Sequence, residues 1–286
     1  MATKDKNVRP EDLLDVSQLR LLSKDSVLVG GTAITVMLGA DKTSHYRYPR
    51  STDIDVISQG AEVGRLKRQL GAPIVENLTD HHMVRLASGI GVDREKVVEE
   101  KSPFTVIRFP NSRLDIFTTV TGLGPIKVNA RVFKSAVKYT FAGMELKVAH
   151  PSYIIATTIN PLVATDNRIF RSFLVISDYA LKNGNDALFK DVMAPAVSYI
   201  IEGSDRVNKE LKKIRNDRRY SHIFKGKKRE YLEYDKYFFS SLPGRLETER
   251  RKIVSFALAI GIGTKDQNTA LVGELANFIR KSAQVS

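Results

Sequence analysis

The sequence predicts an α+β fold: a mixed sheet with flanking helices in the first half, followed by an α-helical second half. Three observations predict it. Short β-rich runs separated by Gly, Pro, Asn and Asp fill residues 26 to 148. From Pro151 onward the apolar residues recur at helical spacing instead. Between the two, His150-Pro151 has the form of a helix start with proline at its first position. The change of pattern divides the chain into residues 1–150 and 151–286, and the length allows a sizeable core.

Taken in order, SVLV (26–29) is a compact strand, Gly30-Gly31 follows, and Thr32 to Leu38 suits a helix whose first amides point back toward the glycines. IDVIS, FTVIRF, RLDIFTT, AVKYTF and ELKV are the further strands, with a helix-like interval near 61–70. In the second half, Ile154, Ile155, Thr158, Ile159 and Leu162 mark one helical stripe, and Ile169, Phe173, Ile176 and Ala180 mark the next. Residues 245–281 read as two helices joined near Gly261-Ile262-Gly263. No internal repeat interrupts this order.

Composition narrows the chemistry. With 42% hydrophobic and 27% charged residues the chain reads as an ordinary soluble protein, and no apolar run approaches the roughly 20 residues that span a bilayer. The opening MATKDKNVRPEDLLDV is charged and has no apolar core of a signal peptide, so a cytoplasmic location without membrane contact is expected. The absence of cysteine excludes disulfides, thiolate metal sites and cysteine nucleophiles, which leaves carboxylates, hydroxyls and histidines. A formal charge of +13 points to an acidic partner such as nucleic acid or nucleotide.

Two stretches carry candidate chemistry. A strand, a glycine turn and a helix start can hold a phosphate, because glycine permits close backbone approach and a helix N-terminus offers unpaired N–H groups. The same pattern is also an ordinary strand–helix turn, and GGTAIT matches neither the dinucleotide fingerprint nor the P-loop. In TDIDVIS, Asp53 and Asp55 stand on one face of a strand while Ile54 and Val56 enter the other. Two like charges so close are unfavourable unless a cation lies between them or water screens them at a strand end. A hard divalent ion with oxygen ligands, magnesium or manganese, resolves the conflict. SRLDIFTT repeats the design with the single acid Asp115, and three strand-borne carboxylates can make a two-metal site.

The order Gly30-Gly31, then Asp53-Ile54-Asp55, then Asp115 in an apolar strand resembles the nucleotidyltransferase superfamily that includes DNA polymerase beta. Within it, GGTA followed by RSTDID is similar to the AbiEii/AbiGii toxin-type nucleotidyltransferases. The resemblance covers roughly residues 26–180. It implies a nucleoside triphosphate as co-substrate, magnesium or manganese on Asp53, Asp55 and Asp115, and Gly30, Gly31 and Thr32 against the triphosphate. Arg50 is a further phosphate candidate, and an antitoxin partner is implied by analogy alone. The helical half departs from the pattern, with threonine and isoleucine in SYIIATTIN where those relatives carry a lysine. Arg168, Arg171 and Asp178 are the nearest substitutes, and the two arginines share one helix face.

RVNKELKKIRNDRRYSHIFKGKKRE (206–230) holds eleven Lys or Arg against three Asp or Glu, and the aromatic YLEYDKYFF follows. Lys212, Lys213, Arg215, Arg218, Arg219, Lys227 and Lys228 suit a phosphodiester backbone, and the rings suit stacking on bases, as in a tRNA-like acceptor. Val207, Leu211 and Ile214 at near-helical spacing equally suit a solvated helix with an apolar stripe. Three functions remain open: transfer of a nucleotide to an RNA or protein hydroxyl, nucleic-acid binding without chemistry, and transfer to a small molecule.

Overall fold

The computed structural model describes residues 19–22, 24–39, 53–58, 65, 75–78, 104–109, 112–117, 130–158, 166–216 and 234–283. The chain is α+β, with a mixed sheet and helices in its N-terminal part and a mostly helical C-terminal region. β1 (Val27–Val29) runs straight into α1 (Gly30–Gly39), and β2 (Asp53–Ile57), β3 (Val75–Leu78), β4 (Phe104–Phe109) and β5 (Ser112–Phe117) follow. After α2 (Ala130–Ser135), β6 (Val137–Phe141) and β7 (Met144–Val148) complete a sheet of order β3-β4-β5-β2-β1-β7-β6. β2–β5 and β1–β7 are parallel pairs, and the other four pairs are antiparallel.

The expected strands form where β-branched and aromatic runs are bounded by turn residues. β3 is one that the pattern does not announce, since Glu76 and Asn77 both disfavour a strand and only pairing with β4 makes one. The expected turn before α1 is also absent, because the helix begins on Gly30 itself. β6 and β7 are joined by a two-residue turn in which Ala142 (φ 52°) and Gly143 (φ 74°) are both left-handed, the geometry that matches strand twist in a tight hairpin.

α3 (Pro151–Thr158) starts on its proline as the sequence predicts, and α4 (Asp166–Asn183) carries Ile169, Phe173 and Ile176 on its buried face. Each such side chain contributes about 1.5–3 kcal/mol by leaving water. α5 (Asn185–Ala187) leads through a π-helical stretch (Leu188–Met193) into α6 (Ala194–Asn216). α7 (Tyr234–Lys236), a second π-helical stretch (Tyr237–Ser241), α8 (Leu242–Thr248), α9 (Arg250–Ile260) and α10 (Lys265–Ser282) finish the fold. α9 ends on left-handed Gly261 (φ 94°), and α10 opens with a capping box between Thr264 and Gln267.

One continuous core joins sheet and helices, because α1 packs on β1 and β2 on one side and on α3 and α4 on the other. Among the described residues, no helix is long and apolar enough to cross a membrane.

Candidate active site on the sheet

Register decides which polar residues meet. In the parallel β2–β5 pair, Asp55 lies directly beside Asp115, Ile54 beside Leu114 and Asp53 beside Arg113. Because partners across a ladder share a face, Asp53, Asp55 and Asp115 occupy one face of two adjacent strands, as the alternation in each strand predicts. The opposite face carries Leu28, Ile54, Val56, Leu114 and Ile116, all fully buried. That apolar face fixes the carboxylate face, since a one-residue slip would drive the acids into the core.

The antiparallel β1–β2 pair sets Asp55 beside Val29, the last residue of β1, and so brings it to the start of α1. Asp55 is only 8% exposed, which makes its charge costly unless the surroundings favour it. The start of α1 does so, as the positive end of a helix dipole. Gly30 has φ +60°, and a Cβ built there would fall 3.1 Å from Asp55 Cγ and 3.3 Å from its Cβ. Glycine is therefore required twice, for its left-handed backbone and for the close approach of the carboxylate.

Gly30 and Gly31 are half-buried, whereas Thr32 is fully buried. Of these three residues at the start of α1, the two glycines are the more accessible. Asp178 is buried and ion-paired with Lys182 one turn on, at 2.9 Å. Arg171 is half-buried on α4, a helix that packs against α1. The side chain of Arg168 lies outside those described, as do those of Lys212, Lys213 and Arg215 on α6. Arg50, Arg218, Arg219, Lys227 and Lys228 fall outside the described residues. Phe238 is fully buried and meets Phe239 edge to face, so this ring serves the core and not base stacking.

Sequence reading missed three residues of the carboxylate face. Arg113 pairs across β5 with both Asp53 and Arg108, and Glu76 joins the same face opposite Val106. The period of two in RLDIF and FTVIRF was the available signal for Arg113 and Arg108, but their meeting depends on register alone.

The strand directions bring other groups to this end of the sheet. β7 is parallel to β1, so His150 follows the strand end that neighbours Gly30. His150 Nδ1 accepts from the Ser152 N–H at 3.4 Å and lies 2.8 Å from Ser152 Oγ, which makes the imidazole the cap of α3. Burial holds its pKa below the ordinary imidazole value, opposed by Asp191 and aided by Arg131. The Arg131 guanidinium sits 4.6 Å over the Tyr199 ring and 3.5 Å from Glu202, and burial pushes the Tyr199 hydroxyl up.

Carboxylates offer oxygen donors only, which suits a hard divalent cation such as magnesium or manganese. Neighbouring strands bring the positions of Asp55 and Asp115 to roughly 4.8 Å of each other, close enough to share one ion. Among the described side chains no group of three His, Cys, Asp or Glu forms such a site, because those of Asp53 and Asp115 lie outside them. The fit therefore rests on register and on Asp55 itself. No protein-family model, no curated protein and no solved structure matches the chain, so the functional reading stands on this site alone.

Proposed function

We propose that the chain is a metal-dependent nucleotidyltransferase with a polymerase-beta-like catalytic sheet, moving a nucleoside monophosphate from a nucleoside triphosphate to a hydroxyl of an RNA or protein. One observation carries the reading. Asp55 lies beside Asp115, with Asp53 on the same face, where α1 begins on Gly30-Gly31. Like charges directly opposite on paired strands are destabilising, so the arrangement makes sense as a site rather than as packing.

Asp53, Asp55 and Asp115 would hold magnesium or manganese, which when bound supplies Lewis-acid activation and neutralises phosphate charge. The amides at the start of α1 are suited to the triphosphate oxygens, and the paired glycines let the chain approach them. The acceptor oxygen bonds to the α-phosphorus while the bond to the bridging oxygen breaks, and pyrophosphate leaves with the electron pair. Asp115 takes the proton of the acceptor hydroxyl. The net charge of +13 and the basic end of α6 favour RNA as the acceptor, in a cytoplasmic setting.

The test incubates the purified protein with each α-labelled ribonucleoside triphosphate, magnesium, and total RNA or cell protein, beside Asp53→Ala/Asp55→Ala. Label in one macromolecular fraction, reduced at least about a hundredfold in the double variant, is the expected result. Reversing Lys212 and Lys213 to Glu in the same assay should depress transfer to RNA and leave transfer to protein unchanged. Absence of transfer from any triphosphate would reject the enzyme reading.

A further inference from the structure

The carboxylate face carries a second row of like charge. Arg113 lies directly opposite Arg108 in the antiparallel β4–β5 pair and directly beside Asp53 in the parallel β2–β5 pair. Two residues further along, Asp115 lies opposite Val106 and beside Asp55. β5 thus places Arg113 and Asp115 in alternate positions on one face, roughly 6.6–7 Å apart along the strand. One row across the strands thus reads Arg108, Arg113, Asp53, and the next, the acidic row, reads Val106, Asp115, Asp55.

Each row contains a like-charge cross-strand pair, Arg108–Arg113 in one and Asp55–Asp115 in the other. Such pairs disfavour a sheet, and neither can turn away by a register slip, because Ile54 and Leu114 on the intervening row are fully buried on the opposite face. A cation on the acidic row relieves one pair and leaves the other. A ligand that carries a cation and an anion a few ångströms apart relieves both.

We propose that Arg108 and Arg113 hold the phosphate chain of a metal-bound nucleoside triphosphate whose cation lies on Asp53, Asp55 and Asp115. This rests on the nucleotidyltransferase reading and names the residues that grip its substrate. Arginine suits the task, since its planar fork donates two parallel hydrogen bonds to phosphate oxygens. The competing explanation is internal neutralisation, with Arg113 in register beside Asp53 and Arg108 on the same face as Glu76. The two explanations make opposite demands on metal affinity.

Calorimetric titrations with manganese alone, and with inorganic tripolyphosphate in the presence of magnesium, separate them on the full chain and its Arg108→Gln, Arg113→Gln and Arg113→Lys variants. Thermal melts establish that each variant is folded, and Arg108→Gln carries the test if Arg113→Gln is not. The expected result is that each Gln variant weakens tripolyphosphate at least about tenfold, that Lys restores part of the loss, and that manganese binding changes by no more than about twofold. Unchanged tripolyphosphate affinity with tighter manganese binding would overturn the proposal in favour of internal neutralisation. A wild-type chain that binds no manganese would overturn the metal site and the proposal with it, whereas manganese binding without tripolyphosphate binding would overturn the proposal alone.

Discussion

The Ser177–Asn268 network of the helical region and the Asp55–Asp115 pair of the sheet place polar residues in different company. On α4, Ser177 Oγ–H donates to Asn268 Oδ1 at 2.6 Å, Asn268 Nδ2–H donates to the Ile262 carbonyl at 2.8 Å, and Asp178 meets Lys182. In this network donor meets acceptor and charge meets countercharge, as buried polar groups usually do. On the sheet, register sets Asp55 beside Asp115 and Arg113 opposite Arg108. Like charges at neighbouring positions disfavour a sheet, which sets these strands apart from the paired groups of α4.

The comparison breaks first at Asn268. Replacing it with Leu leaves the Ile262 carbonyl and the Ser177 hydroxyl without this partner in a buried turn, which should cost about 1–3 kcal/mol. A melt showing no fall in transition temperature would mean that the helical network contributes nothing. Asp115→Asn probes the sheet and should act with the opposite sign. Without divalent ions the variant should be more stable than wild type by about 0.2–1 kcal/mol, and with magnesium the order should reverse, because only wild type gains from binding. A loss of stability without divalent ions would show that the acidic row is packing rather than site.

His150 supplies the smallest effect and a control. Its pKa in the folded chain is lowered, so the unfolded chain binds the proton more readily. The stability it supports is present above the unfolded value of about 6.5 and is lost as pH falls through the lowered folded value. His150→Asn keeps an acceptor at the cap of α3 and does not titrate there, so the fall in melting temperature below about pH 6.5 should be shallower in the variant. Parallel curves would remove His150 from the account.

Much of this was legible because local pattern sufficed. FTVIRF became β4 residue for residue, Pro151 opens α3, and Gly261-Ile262-Gly263 does separate α9 from α10. Period two placed Asp53 and Asp55 on one face before any fold was known. The meeting of Asp115 with Asp55, and of Arg113 with Arg108, was not legible, since each depends on which strands pair and in what register. The burial of Thr32 was not legible for a related reason, since it depends on the packing of α1 between sheet and helices.

The parallel pairing of β2 with β5 also has a consequence in time. Asp55 and Asp115 are separated by sixty residues of chain, and β3 and β4 must be made between them. At the usual rate of synthesis, about 5–20 residues per second, β2 emerges roughly 3–12 s before its acidic neighbour exists. Throughout that interval the nascent chain can pair β1 with β2 but has nothing to set beside Asp55 on its other edge. The neighbouring of Asp55 and Asp115 therefore waits for β5, and a chain cut short before β5 lacks it.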